Sequence, residues 1–154
     1  MDIKFVEREE FVISGFSVET TFENHNKDRE IQFNDFLNEK IDLTKKSAEK
    51  PNEYYCVIWV TGKEKLISLL GQEIFHPAEN FDKKAIRKAV YACIKLPDVE
   101  SYDTLKAWED FYQKIYERTS ETGYTISEID ALAFEYYPNG IGKGFELWVL
   151  VEKV

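Results

Sequence analysis

Phe33-Asn34-Asp35-Phe36-Leu37-Asn38-Glu39-Lys40-Ile41 is echoed 75 residues later by Trp108-Glu109-Asp110-Phe111-Tyr112-Gln113-Lys114-Ile115-Tyr116 (33 to 108). Few positions match in identity, but the order of surrounding elements matches as well. The same offset lays Tyr54 to Thr61 onto Ile129 to Tyr136, two short apolar-rich stretches. A repeat of this period means one supersecondary unit used twice. Two units packed side by side leave a seam, and ligands sit in seams.

The elements around these two stretches follow from their periodicity. Phe5 to Thr21 alternates loosely and reads as strand, with Gly15 marking a bulge or bend. Asp28 can cap the helix that follows. Ile31, Phe33, Phe36, Leu37 and Ile41 give that helix an apolar stripe. Tyr54 to Thr61 is a strand, and Gly62-Lys63-Glu64 turns it back into Leu66 to Phe75. The order then recurs. Ala85 to Leu96 is a strand ended by Pro97, and Ser101 or Asp103 caps a second helix from Thr104 to about Arg118. Its stripe is Leu105, Trp108, Tyr112 and Ile115, with Phe111 and Tyr116 alongside. Gly123 suits the left-handed stop. Ile126 to Tyr137 and Phe145 to Val151 are the closing strands, with Pro138-Asn139-Gly140 opening the loop between them. Each half reads β-α-β-β, an α+β fold. The expectation is one domain over 1–154, with half one at about 1–76, half two at about 85–154 and Pro77 to Lys84 as connector. Neither half alone holds much core.

Composition narrows the function. Apolar residues make up 44% of 154, enough for a packed interior, and the formal net charge of −9 argues against a nucleic-acid surface. Lys45, Lys46 and Lys50 read as a solvated loop. No apolar run approaches the roughly 20 residues of a membrane helix. Met1-Asp2-Ile3-Lys4 lacks the basic start and apolar core of a signal peptide, so a cytoplasmic location is expected. Cys56 and Cys93 fall in strands and are expected to be reduced and buried. His25 and His76 are far apart, and no His, Cys and carboxylate spacing fits a metal. No cofactor is expected. No Gly-rich phosphate loop and no Gly-x-Ser-x-Gly elbow occur.

Two carboxylates stand out because strands disfavour them. Glu135, in Ala131-Leu132-Ala133-Phe134-Glu135-Tyr136, shares a face with Ala133 and Ala131, which leave room in front of it. Glu146, in Phe145-Glu146-Leu147-Trp148-Val149, shares a face with Trp148 and Leu150. If 135 pairs with 146, both acids point the same way; a slip of one residue separates them. A carboxylate in an apolar recess needs compensation from a bound cation, a tyrosine hydroxyl or protonation. Against this stands the plainer alternative that both acids face solvent. Trp108 and Tyr112 share a helix face and serve either as core packing or as ligand contacts. Tyr91 either lines a cavity or reaches solvent.

Taken together, these stretches resemble the GyrI-like small-molecule-binding domains, the effector-binding halves of AraC-type and MerR-type multidrug-sensing regulators. The resemblance covers nearly the whole chain. It is carried by Glu9-Glu10-Phe11-Val12-Ile13-Ser14-Gly15-Phe16-Ser17-Val18, by Ala107-Trp108-Glu109-Asp110-Phe111-Tyr112 with the Gly123-Tyr124 step, by Phe134-Glu135-Tyr136-Tyr137, and by Phe145-Glu146-Leu147-Trp148-Val149. The last departs from the family's closing motif, and no Pro lies near Val151. The resemblance implies a tandem fold of two SHS2-like halves, with an antiparallel sheet, two main helices and a pseudo-twofold cleft. Glu135 would be the acid at the base of that cleft, with Trp108 and Tyr112 as aromatic walls. With both halves assigned, no helix-turn-helix remains to be placed, so the expectation is a stand-alone form without direct nucleic-acid binding.

The leading functional expectation is binding of amphipathic, cationic aromatic molecules, in order to sense or sequester toxic compounds. Glu135, Trp108, Tyr112, Glu146, Trp148 and Tyr91 are the candidate contacts. The alternative is a GyrI-like hydrolase of reactive small electrophiles, with Glu135 as the base and Tyr91 orienting the substrate. A third reading is a protein-interaction modulator such as a gyrase inhibitor, using the acidic surface. Its acids are dispersed along the chain.

Overall fold

The computed structural model describes residues 2–97, 104–128 and 130–154. In chain order the elements are β1 (Lys4–Arg8), β2 (Phe11–Thr21) and α1 (His25–Asp35). That helix runs through a wide π-type turn over Phe36–Lys40 into α2 (Ile41–Lys45). Then come β3 (Tyr54–Gly62), β4 (Lys65–Gln72), β5 (Asp82–Ile86), β6 (Ala89–Leu96), α3 (Leu105–Glu117) and α4 (Thr119–Thr122). The chain closes with β7 (Tyr124–Ile126), β8 (Leu132–Tyr137) and β9 (Phe145–Lys153). The order across the antiparallel sheet is β1-β6-β9-β8-β3-β4-β2-β5, with β7 against the end of β9.

That order is symmetric about the β3/β8 pair. Moving outward, β4 answers to β9, β2 to β6 and β5 to β1. The short leading strand of each half is handed across: β1 pairs with β6, and β5 with β2. The β3/β8 ladder therefore lies in the middle of one continuous sheet.

Three strands expected as single runs are each two. Phe5 to Thr21 breaks at Glu9-Glu10, and Ala85 to Leu96 breaks at Arg87-Lys88. Apolar alternation carries on past both breaks, which hides them in the sequence. The charged pairs turn outward, and Lys88 reaches Glu7 and Glu9 at 3.8 and 3.4 Å. The expected strand Ile126 to Tyr137 becomes β7 and β8, with Ile129 outside the described residues, as are Ser101 and Asp103, the expected caps of the second helix. Gly15 marks no bulge. The β2/β4 register runs through Gly15↔Gly71 without a shift, and the irregularity lies at Val60/Gly62 instead. At Gly15 and Gly71 the two backbones approach so closely that a Cβ on either would collide with the other strand. Asp28 does not cap α1, which begins at His25; it accepts a hydrogen bond from Thr20 Oγ1 at 2.6 Å. Its charge lies in the first turn, where it complements the helix dipole.

The two faces of the sheet carry separate cores. One is covered by the helices: Cys56, Leu70, Ala92, Ile94, Ala133, Leu147 and Val149 pack with Phe33 and Phe36 of the first helix and Phe111 and Ile115 of α3. The other holds Ile13, Tyr55, Val57, Leu69, Tyr91, Phe134, Trp148 and Leu150, and no helical residue. It is buried by the curl of the sheet upon itself. Each fully buried side chain of this size contributes about 1.5–3 kcal/mol, so neither face is dispensable.

Candidate functional site

The site is built outward from Glu135. β8 pairs with β3 on one side, Cys56 opposite Glu135, and with β9 on the other, Leu147 opposite Glu135. The carboxylate therefore sits at mid-sheet on the helix-covered face, at 0% exposure. Four donors hold it. Oε1 accepts from Arg29 and from the Tyr137 hydroxyl at 2.6 Å; Oε2 accepts from Thr104 Oγ1 at 2.9 Å and Trp108 Nε1 at 2.9 Å. A carboxylate offers about four acceptor sites, so this one is saturated. Burial pushes its pKa up. The Arg29 guanidinium and the donated hydrogen bonds outweigh that and hold the carboxyl below its ordinary range. Thr104 begins α3, yet its hydroxyl makes no cap to the helix, being committed to the carboxylate.

Arg29 is the residue of this cluster that the sequence reading missed. It lies on α1 at 2% exposure, one turn before Phe33, with the guanidinium 4.5 Å from that ring centroid. It also donates to Tyr137 Oη at 3.2 Å. A signal was available: Arg29 is four residues from Phe33 and so shares its face. The apolar stripe drawn through Ile31 diverted attention, because Ile31 is exposed. The polar layer continues under the helix. Gln32 Nε2 donates to the Ser68 carbonyl at 2.8 Å, Ser68 Oγ donates to Gln32 Oε1 at 2.8 Å, and Ser68 Oγ lies 3.3 Å from Cys56 Sγ. Burial raises the Cys56 thiol to about 11, so it stays protonated at neutral pH; both cysteines are free and buried.

Above this layer lies a cavity of about 420 Å³. Its floor is sheet, from Ile58 on β3, Ala133 on β8 and Val149 on β9. One wall is α3 and the other is the β2/α1 junction at Phe22, His25 and Asn26. The face of α3 turned to the cavity is Leu105, Trp108, Tyr112 and Tyr116, while Phe111 and Ile115 face the core. The amphipathic stripe thus divides into a packing half and an open half. Phe22 (58% exposed), Val60 (41%), Leu105 (45%) and Tyr116 (53%) gather at its mouth. Apolar exposure is thus concentrated in one place rather than scattered singly. Glu135 is not part of the lining. It lies one layer deeper, and Thr104 and Trp108 join it to the wall.

The remaining candidates lie elsewhere. The register sets Tyr136, not Glu135, opposite Glu146, so the two acids point to opposite faces. Glu146 Oε1 accepts from Trp148 Nε1 at 3.0 Å. Trp148 stacks on Phe134, 5.6 Å between centroids and 8° between planes. Tyr91 is buried in the same cluster and donates to the Arg87 carbonyl at 2.5 Å. A pairing of Tyr91 with Glu135 across one substrate is therefore not assembled. Among the described residues no group of His, Cys, Asp or Glu could hold a metal ion. No helix there is long and apolar enough to cross a membrane. A smaller hollow of about 230 Å³ lies between α1 and β2, where Asp28 is held by Thr20 and Asp35 pairs with Lys40 at 2.9 Å.

No protein-family model matches the chain, and no curated protein matches it in sequence. Solved structures do match. A protein described as a bacterial transcription regulation protein from Staphylococcus aureus MU50 superposes with a TM-score of 0.74 at 11% identity, over 99% of both chains. SAV2435, solved bound to tetraphenylphosphonium, gives 0.71 at 11% identity, over 99% of this chain and 94% of that one. The C-terminal domain of EcmrR gives 0.58 at 16% identity, over 99% and 98%. Similarity this low in sequence and this complete in coverage speaks for a shared architecture, the one that the strand and helix motifs resemble. The chain shares its fold with these solved structures, among them the C-terminal domain of EcmrR.

Proposed function

We propose that the chain binds a bulky aromatic small molecule in the cavity between α3 and the β2/α1 junction, to sense or sequester a toxic compound. One observation carries this reading. The Leu105, Trp108, Tyr112 and Tyr116 face of α3 is left uncovered over a hollow of about 420 Å³. That volume falls within the roughly 300–1,000 Å³ of small-molecule sites. The lining is largely apolar and aromatic, with His25, Asn26, Thr104, Ser127 and Asp130 as its polar points. Binding of tetraphenylphosphonium by a protein of the same fold supports a ligand of this shape. In this reading Glu135 orients Trp108 and Thr104 from below and does not itself touch the ligand.

The test is calorimetric titration with bulky aromatics, tetraphenylphosphonium and triphenylphosphine oxide, on the native chain and on Trp108→Ala. Saturable binding of at least one is expected, weakened about tenfold or more by the substitution, which is 1.4 kcal/mol. If neither probe saturates below about 1 mM, an affinity of only 4.1 kcal/mol, the reading fails. The hydrolase reading gains no support from the geometry. A saturated carboxylate held below its ordinary pKa is a weak base, and Tyr91 is on the far face.

A further inference from the structure

We infer that Arg29 is a built-in counter-cation that sets the charge selectivity of this pocket, so that its guest is an uncharged aromatic molecule with a polar handle. The inference rests on the cavity being the binding site. Beneath the wall, Glu135 is already neutralised from within the chain. Arg29 and Glu135 form an ion pair at 2% and 0% exposure, and all four acceptor sites of the carboxylate are occupied. An organic cation entering above finds the Glu135 carboxylate already spent. It still loses hydration on entry, a cost that only a paired charge repays. Arg29 lies outside the lining, yet it acts on His25 within it, whose pKa it lowers. Ring faces on α3 attract a cation, but they offer packing to a neutral guest as well.

The polar points of the lining agree. His25 lines the cavity, and its Nδ1 is buried without a hydrogen-bond partner among the described residues. Burial and the neighbouring Arg29 lower its pKa, leaving a neutral imidazole that can accept or donate. Such a group suits a hydroxyl, carbonyl or phosphoryl oxygen better than an ammonium. Asp130, the carboxylate among the described lining residues, lies 3.9 Å from Arg87 Nε. The net charge of −9 acts over the outer surface and is screened beyond about 8 Å at physiological salt, so it steers more than it selects.

The experiment uses two probes of nearly the same shape: methyltriphenylphosphonium, a cation, and triphenylphosphine oxide, its uncharged counterpart. Both are titrated into the native chain, Arg29→Met and Arg29→Lys. The native chain is expected to bind the oxide at least tenfold more tightly than the phosphonium. Arg29→Met shifts that ratio at least tenfold toward the cation, and Arg29→Lys, which keeps the charge, does not. Native protein that binds the phosphonium as tightly as the oxide, or more tightly, overturns the inference while leaving the cavity as a binding site. Should neither probe bind, nor tetraphenylphosphonium, the cavity reading itself falls and this one with it. If Arg29→Met does not fold, the native comparison decides alone.

Discussion

Removing the charge of Glu135 should damage the fold far more than an ordinary core substitution, and removing both charges should repair most of the damage. Glu135→Gln is nearly isosteric. Its amide can serve Arg29 and Tyr137 with the carbonyl, but then it presents an N–H group to Thr104 Oγ1 and Trp108 Nε1, both of which donate in the native structure. Arg29, at 2% exposure, loses the Glu135 charge that it pairs with. Breaking one side of a buried ion pair costs about 3–5 kcal/mol. At about 2–4 °C per kcal/mol for a chain of this length, the midpoint falls by about 6–20 °C. Arg29→Met with Glu135→Leu replaces the pair by apolar side chains. It is expected to be about neutral, or up to a few kcal/mol stabilising, relative to the native chain. Urea unfolding of the native protein, both singles and the double closes the cycle, with unchanged m-values as the check on two-state behaviour. A loss under about 1 kcal/mol for Glu135→Gln, or a double variant no better than the worse single, would mean that the pair does not organise the site.

Three more expectations follow from the same geometry. The Glu135 carboxyl is held below its ordinary 4.5, so its contribution to stability is complete above that value and is lost as pH falls through its folded pKa. The acid limb of urea midpoint against pH should flatten in the Arg29→Met, Glu135→Leu double. Gly71→Ala places a Cβ inside the van der Waals shell of the Ser14 carbonyl on β2 and should cost at least about 1–3 kcal/mol, seen as a lower urea midpoint. A shift below about 0.5 kcal/mol would refute close backbone contact there. Arg8→Ala removes a guanidinium 4.1 Å from the Phe11 centroid and 5.0 Å from the Trp148 centroid, which also donates to Tyr55 Oη at 3.0 Å. A loss of about 1–2 kcal/mol and altered Trp148 emission are expected; an unchanged spectrum and midpoint would contradict the packing.

Several elements could be read from the chain directly because their information is local. Helical spacing at Phe33, Phe36, Phe111 and Ile115 marks the core faces of two helices, and alternation through Tyr54 to Thr61 marks a central strand. Charged turns at Glu9-Glu10 and Arg87-Lys88 were less legible, since the apolar pattern resumes at once on either side. The separation of Glu135 from Glu146 turned on one residue of register, and no local pattern encodes register.

The α+β class and the core faces of the two main helices were determined by the sequence alone, through periodicities of 2 and 3.6 that any stretch of chain displays by itself. Tertiary structure decided which half of the α3 stripe stays open, which face each acid takes, and what compensates Glu135. The last is a cation 106 residues away in the chain. Long-range pairing of a buried charge leaves no periodic trace, because it depends on where a helix lands on a sheet and not on what lies next to it in sequence.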